Sequence, residues 1–309
     1  MNRELLDYES ILDECGVGRL APSLVANNLA NLESFYDSSE LVSIYNYCLT
    51  NIKEVEILVH VIKFADTYRA QSTLSLLLDL LKIKPISSEE DFISLRVLCV
   101  KAIANYKDNS TVLALLACLN NKNEHYKVRL ACADALGRIG DKYAVRPLIE
   151  LVEDEEEKSI YLKESATFAL GLLGDTTAID PLISILESKH GFLGKFSFLK
   201  EKIVEALGKL NFNNKRVLKA LKNSLMDSSP MVRINAIEAI MNSGEDDSVD
   251  IIRPSLQDED DDVKKNALIA LYNLLGRDIL DEVVGLPIYS DFLKEEAKDL
   301  LFNYEDNDE

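Results

Sequence analysis

Residues 128–175 read VRLACADALGRIGDKYAVRPLIELVEDEEEKSIYLKESATFALGLLGD, and this stretch contains one phrase twice. The phrase is an aliphatic residue and a cation, small apolar residues, Ala-Leu-Gly, and then Gly-Asp. Shorter versions recur elsewhere, and the steps between their cations are 33, 34, 37, 33 and 31 residues. Self-similarity at this period predicts a stack of repeated units, each of which buries its apolar side against its neighbours. The cations that mark the units are Arg96, Arg129, Lys163, Lys200, Arg233 and Lys264.

Each unit is predicted to contain two helices. Residues 128–139 carry apolar side chains at helical spacing along one face. Gly140 follows, and glycine accepts the left-handed conformation that ends many helices. A second helix is predicted from Ala144 to Val152, with Pro147 in its first turn, where the missing N–H does no harm.

These residues resemble the HEAT-repeat superfamily, and most closely the HEAT-like repeat named after phycobilisome lyases. VRLACADALGRIGD and AVRPLIELVED carry the resemblance, which covers roughly residues 92–278. It implies an all-α fold, a right-handed α-α superhelix of about seven to eight helical hairpins with capping helices. It also implies that each repeat cation bonds an acidic or carbonyl group of an adjacent turn. Such repeats serve many unrelated tasks, so the resemblance leaves the function open.

The chain is predicted to form one continuous solenoid. Its divisions are an N-terminal cap (1–22), divergent helical repeats (23–86), HEAT-like repeats (87–278), and a C-terminal capping helix with an acidic tail (279–309). Three acidic runs, 153–157, 245–247 and 258–262, are predicted to be solvated turns and helix N-termini, where anions are favoured.

Composition argues against several classes of partner. The formal net charge of −19 disfavours general binding to nucleic acid or to an anionic membrane surface. The densest apolar run, 74–81, is interrupted by Asp79 and is too short for a membrane span. The acidic N-terminal residues lack the apolar region of a signal peptide. We therefore predict a cytoplasmic protein without membrane insertion, whose five cysteines are reduced and packed in the core.

The sequence carries no recognisable catalytic motif. Its three histidines, His60, His125 and His190, lie in different units, and none is followed by Glu. The paired His-Glu ligands of the iron-binding HEAT-repeat enzyme deoxyhypusine hydroxylase are therefore missing, and no phosphate-binding glycine motif is present. We predict no catalytic residue, no metal site and no cofactor.

The resemblance implies that the helix with the repeat cation lines the concave side of the solenoid. The helical period places positions +1, +2, +5 and +9 after the cation on one face. Over six repeats these positions hold five basic and five acidic residues. A nucleic-acid groove needs on the order of 6–10 phosphate contacts without matching acids, so the expected partner is another protein. The predicted partner-binding residues are Lys101, Leu130, Asp134, Arg138, Glu164, Phe168, Leu172, Glu201, Lys202, Glu205, Lys209 and Glu238.

A second candidate site is the segment SKHGFLGKFSF at 188–198, which accounts for the longest repeat step. Its phenylalanines either pack beneath neighbouring units or present aromatic rings to a partner, as loops on rigid scaffolds often do. The candidates are His190, Phe192, Phe196 and Phe198.

Two functions remain open. The first is a non-enzymatic scaffold that binds a partner protein on the concave face. The alternative, which comes from the resemblance, is a bilin lyase or chaperone that attaches or handles a linear tetrapyrrole on a phycobiliprotein cysteine. Under that alternative, Asp134 and Glu164 pair with pyrrole nitrogens and Phe168 supplies an aromatic wall. Lyases of that family usually carry tryptophans in their repeats, whereas this chain has none.

Overall fold

The computed structural model describes residues 6–82, 90–188, 197–210 and 214–305. These residues form eighteen α-helices and no β-strand, so the predicted all-α superhelical class is confirmed. The chain divides into two compact units, Met1–Ala144 and Val145–Glu309, hereafter unit 1 and unit 2.

The helices of unit 1 are α1 (Tyr8–Glu14), α2 (Pro22–Asn31), α3 (Ser38–Asn51), α4 (Val55–Tyr68), α5 (Gln71–Lys82), α6 (Glu90–Tyr106), α7 (Val112–Asn120) and α8 (Tyr126–Ile139). The helices of unit 2 are α9 (Val145–Glu153), α10 (Ile160–Leu173), α11 (Ile179–Glu187), α12 (Ser197–Leu210), α13 (Lys215–Ser224), α14 (Pro230–Met241), α15 (Ser248–Ile252), α16 (Asp261–Leu275), α17 (Asp278–Gly285) and α18 (Asp291–Glu305). Short 3-10 helices cover Leu32–Ser34, Asn109–Thr111, Lys142–Ala144, Thr176–Ala178 and Arg253–Gln257.

The predicted helices of the central repeat are confirmed, since 128–139 and 144–152 correspond to α8 and α9. Gly140 ends α8 with a φ of 84°, and Gly174 ends α10 with a φ of 65°. Only glycine adopts this left-handed conformation readily, which explains why the Gly-Asp phrase stops each helix. The division of the chain into caps, divergent repeats and HEAT-like repeats stays a prediction.

Within each unit, alternate helices stack in a row. In unit 1 the row is α2, α4, α6 and α8, and in unit 2 it is α10, α12, α14, α16 and α18. We call these the first helices, because they include those that carry the repeat cation. The remaining helices pack against them as hairpin partners, for example α7 on α8 and α9 on α10. Helices that lack the repeat phrase, such as α4, therefore continue the same stacking.

Small residues of the Ala-Leu-Gly phrase determine how closely the first helices approach. A Cβ atom placed on Gly171 would lie 3.1 Å from Ala206 Cα. On Gly208 it would lie 2.8 Å from Ala239 Cβ, closer than real Cβ contacts allow. The phrase thus creates a packing surface without side-chain bulk at each helix crossing.

The repeat cations are engaged within the fold, as the resemblance implies. In unit 1, Arg96 pairs with Glu124, and both side chains are only 5% exposed. Arg129 Nε donates to the carbonyl of Leu119 at 2.7 Å. The first contact joins α6 to the turn before α8, and the second joins α8 to the C-terminal end of α7, so these cations are structural.

Unit 2 repeats the arrangement. The fully buried Lys163 donates from Nζ to the carbonyls of Val152, at 3.0 Å, and Asp154, at 2.5 Å. Lys200 Nζ lies 2.7 Å from Asp227 Oδ2. Arg233 and Lys264 also pair with carboxylates. Cations bound in this way are not available to phosphate groups.

Two acidic runs differ in part from their prediction. Within 153–157, Glu157 is buried and accepts a hydrogen bond from the backbone N–H of Ser159 at 3.0 Å. Within 258–262, Asp260 caps α16 as expected by accepting from the backbone N–H groups of Asp262 and Val263. Asp258 instead binds the guanidinium of Arg233, and its side chain is 13% exposed. The run is therefore only partly solvated, because its first member neutralises a buried cation of the preceding first helix.

None of the helices in the described part of the chain combines the length and the apolar character that a membrane span requires.

Candidate functional site

In unit 1, the predicted residues Lys101, Leu130 and Asp134 line one cleft of about 520 Å³. The cleft crosses the first helices α4, α6 and α8, and we call it the unit 1 cleft. Its lining residues are Val59, Lys63, Ile93, Ser94, Val97, Leu98, Lys101, Lys127, Leu130, Ala131 and Asp134. Three of the predicted positions therefore lie together in one concavity on α6 and α8.

The unit 1 cleft has an apolar floor and a basic rim. Aliphatic side chains make up most of the lining, and Lys63 and Lys101 at the rim are exposed. Neither lysine forms an ion pair with another described residue. Lys127 does form one with Glu90, and this hydrogen bond lowers the pKa of the Glu90 carboxyl. Asp134 is the single carboxylate among the described lining residues, so lysines dominate the charge of the rim that these residues form.

Arg138 lies in a polar row rather than in the cleft lining. Asn105 Nδ2 donates to Asp66 Oδ2 at 2.8 Å, and Arg138 donates from Nη2 to Asn105 Oδ1 at 3.4 Å. These residues link α4, α6 and α8, and both Asn105 and Arg138 stand at position +9 of their repeats. Asp66 is the corresponding +9 residue on α4. The buried Ile57 lies nine residues before it, at the position that the repeat cation holds on α6 and α8.

The sequence reasoning missed two groups of cleft residues. Val59 and Lys63 lie on α4, where an isoleucine replaces the cation and the repeat phrase is not recognisable. Ile93, Ser94 and Lys127 lie on helices that carry a cation, but outside the positions counted from it.

In unit 2, the predicted residues gather around Phe168. Lys209 Nζ lies 4.9 Å from the centre of the Phe168 ring, and Lys202 Nζ lies 5.8 Å from it. Both ammonium groups also bind Glu205, at 2.9 Å for Lys202 and 2.6 Å for Lys209. Burial alone would raise the pKa of Glu205, but these two hydrogen bonds lower it. We call these four residues the Phe168 cluster.

Cation–π contacts of this kind are each worth about 0.5–1 kcal/mol at exposed sites. The two ammonium groups compensate the carboxylate at the centre of the cluster, and the half-buried ring stays accessible between them. The cluster therefore presents an aromatic surface with fixed charges around it.

Other predicted residues of unit 2 border the cluster. Burial raises the pKa of Glu164, an effect that Lys202 opposes and Glu201 reinforces. Glu201 accepts a hydrogen bond from Ser229 Oγ at 3.4 Å. Glu238 lines a smaller cavity of about 120 Å³ together with residues of α12 and α14. Leu172 is 43% exposed on α10.

The second candidate site falls mostly outside the described residues. His190, Phe192 and Phe196 belong to the segment 189–196, which the structure does not describe. Phe198 lies in the first turn of α12 and is 68% exposed, so its ring is not packed beneath a neighbouring unit.

The described histidines have structural environments. His125 is the N-cap of α8, where its Nδ1 accepts from the backbone N–H of Lys127 at 3.3 Å. His60 lies beside Phe64, with ring centres 6.5 Å apart. Across the described residues, no group of three or more His, Cys, Asp or Glu side chains is placed to hold a metal ion.

Stacked helical hairpins, a buried repeat cation and close crossings at small residues define an α-helical repeat protein of the solenoid class. The model of HEAT repeats matches residues 81–160 and 199–272, and the model of the PBS lyase HEAT-like repeat matches residues 162–188. The chain therefore belongs to the HEAT-repeat superfamily. No curated protein sequence matches it.

Solved structures with the same fold share little sequence with this chain. A structure of Kap95p with RanGDP has a TM-score of 0.59 at 14% identity and covers 94% of this chain, which spans 46% of that protein. An engineered protein has a TM-score of 0.51 at 16% identity, with 95% of this chain and 87% of that one covered. The complex of CpcE and CpcF of phycocyanin lyase from Nostoc sp. PCC7120 has a TM-score of 0.43 at 20% identity, with coverages of 91% and 93%. The likenesses to Kap95p and to the engineered protein show the fold alone.

Proposed function

We propose that this chain is a non-enzymatic scaffold that binds a partner protein on its first helices. The observation that carries the proposal is the unit 1 cleft, in which an apolar floor lies open beneath a charged rim. Protein interfaces combine an apolar centre with a polar border in this way. A concave apolar surface of this kind is a feature by which binding sites are recognised.

The Phe168 cluster supports the same proposal in unit 2. Its aromatic ring is accessible, and the surrounding charges are already paired. Aromatic residues are among the side chains that contribute most to protein interfaces. A partner that packs on the ring would meet charges already held in place, so little side-chain entropy would be lost on binding.

Affinity capture from the native lysate tests the proposal. The tagged chain is compared with Leu130→Glu in the unit 1 cleft and with Phe168→Glu in unit 2, and captured proteins are identified by mass spectrometry. Leu113→Glu on α7 and Phe35→Glu are matched controls, since their parent side chains are 65% and 78% exposed and lie outside both surfaces. Circular dichroism is recorded for every variant to check that it remains folded.

We expect a partner that the wild type and both controls retain and at least one site variant loses. Equal recovery by all five proteins would place the working surface elsewhere. Loss from Leu130→Glu alone would assign the partner to unit 1, and loss from Phe168→Glu alone would assign it to unit 2.

A second candidate function is the handling of a linear tetrapyrrole. The segment that matches the PBS lyase HEAT-like repeat, 162–188, contains both Glu164 and Phe168. Glu164 is half-buried on α10 one helical turn before Phe168, so its carboxylate could pair with pyrrole N–H groups beside an aromatic wall. Such a protein would act by shielding and orienting the bilin towards a cysteine of its substrate protein.

The absorption spectrum of a free bilin mixed with the purified chain tests this candidate. Binding would sharpen the band and shift it to the red, and Phe168→Glu would abolish the change. An unchanged spectrum at micromolar concentrations of protein and bilin would exclude this function.

A further inference from the structure

We infer that the unit 1 cleft takes an acidic amphipathic helix of the partner, with the apolar side chains of that helix on the cleft floor and its carboxylates against Lys63 and Lys101. This inference rests on the proposed function and names the chemistry of the partner. It goes beyond the fold, because nothing in the repeat pattern specifies the sign of the partner's charge.

The charge of the rim is opposite to that of the chain as a whole. The formal net charge is −19, yet the described lining residues of the cleft include three lysines and one aspartate. Lys127 is partly neutralised by Glu90. The exposed ammonium groups of Lys63 and Lys101 form no ion pair with another described residue, so they remain available to an anionic partner. An acidic segment would be repelled by most of this chain and attracted here, which gives both orientation and selectivity.

The shape of the cleft favours a helix over a small molecule. Small-molecule sites usually bury 70–90% of their ligand within about 300–1,000 Å³. The unit 1 cleft has a suitable volume of about 520 Å³, but exposed side chains form its rim. It runs across three stacked helices, α4, α6 and α8. An open apolar groove of this kind suits a helix that inserts side chains at positions i, i+3, i+4 and i+7.

The floor offers uncovered apolar surface and the rim offers cations, and a bound helix would use both. Val97, Leu98 and Leu130 are half-buried, so each offers apolar surface that a partner can still cover. The lysines that flank this floor come from two different helices, Lys63 from α4 and Lys101 from α6. A helix with one apolar face and acidic flanks would satisfy both features together.

Three fluorescent peptides of about 15 residues, a length at which an isolated helix is marginally stable, test the inference. The first has leucines at i, i+3, i+4 and i+7 and glutamates at the flanking positions. The second replaces the glutamates with lysines, and the third replaces the leucines with alanines. Binding to the full chain is measured by fluorescence anisotropy.

We expect the acidic leucine peptide to bind on the order of tenfold more tightly than either of the others, and to weaken as salt is added. The double variant Lys63→Glu/Lys101→Glu should weaken the acidic peptide by about tenfold and strengthen the basic one. Lys219→Glu on α13 is the matched control, since it changes an exposed lysine outside the cleft, and it should leave both affinities unchanged.

Several results would overturn the inference. Among them are tighter binding of the basic peptide, equal effects of the double variant and of Lys219→Glu, and no binding of any peptide. Displacement of the acidic peptide by laurate at lower concentration would assign the cleft to a small anionic amphiphile instead.

The two proposals fail separately. If a native partner depends on Leu130 but the acidic peptide does not bind, the inferred chemistry is wrong and the scaffold function stands. If the acidic peptide binds as expected while no native partner depends on Leu130, the inferred chemistry is supported and the proposed function is not.

Discussion

Replacement of Arg233 by alanine should remove a large part of the stability of unit 2. Arg233 holds Asp258 with two parallel hydrogen bonds, from Nε at 2.9 Å and from Nη2 at 2.7 Å. A third bond runs from Nη1 to the carbonyl of Asp227 at 2.8 Å. The side chains of Arg233 and Asp258 are 6% and 13% exposed, so water cannot replace these contacts readily.

The expected loss follows from this burial. Removing one partner of a buried ion pair costs about 3–5 kcal/mol, because the other charge is left buried and uncompensated. Arg146 provides the matched control in the same unit. It pairs with Glu150 at 3.0 Å across one helical turn, but its side chain is 89% exposed. Pairs of that kind contribute about 0.3–0.5 kcal/mol.

Urea unfolding followed by far-UV circular dichroism distinguishes the two cases. We expect Arg233→Ala to lower the free energy of unfolding by about 3–5 kcal/mol and Arg146→Ala to lower it by less than about 0.5 kcal/mol. The double variant Arg233→Ala/Asp258→Ala should be more stable than Arg233→Ala alone, because it removes the unpaired carboxylate. Similar small losses for both single variants would refute the claim that the buried cation stabilises the repeat stack.

Three further outcomes are expected. Gly208→Val should lower the melting temperature, because the new side chain overlaps the adjacent first helix. Gly285→Ala should not lower it, because no atom lies within 4 Å of the added Cβ. Equal melting temperatures of the two variants would contradict the close helix crossing at Gly208. Cys118 should be the first cysteine modified by iodoacetamide, because it is partly exposed whereas the other four cysteines are buried, and a hydrogen bond with the Cys132 thiol also lowers its pKa. Peptide mass spectrometry would identify the site. Hydrogen bonding to Arg253 lowers the pKa of Glu282. The contribution of the Glu282 carboxylate to the free energy of unfolding is therefore complete above the pKa of an unfolded glutamate, and it is lost as pH falls through the lower pKa of the folded state. Glu282→Gln should therefore be less stable than wild type at neutral pH and approach it in acid, as urea midpoints across the pH range would show.

Part of the lining of the unit 1 cleft was predictable on α6 and α8, which carry the repeat cation, and none of it was predictable on α4, which lacks one. Lys101 and Leu130 line the unit 1 cleft as their offsets from Arg96 and Arg129 require. Lys63 lies in the same lining but on α4, where the buried Ile57 replaces the cation. Position counting needs a recognisable origin, and α4 offers none in its sequence.

The bonding partners of the repeat cations were also predictable only in part. The resemblance to HEAT repeats implied that each cation would bond an acidic or carbonyl group of an adjacent turn. It did not specify which group, and Arg129 bonds the carbonyl of Leu119 while Arg96 binds the carboxylate of Glu124.

The amino-acid sequence by itself determined the helices, their glycine ends and the order in which they stack. These features are local, since they depend on residues within a few turns of one another and on a period repeated along the chain. The tertiary structure decided which side chains from different helices meet: the aliphatic floor and lysine rim of the unit 1 cleft, and the ring of Phe168 between Lys202 and Lys209. Those contacts join residues more than thirty positions apart in the chain. They depend on the distance and the axial offset between packed helices, which no local sequence pattern specifies.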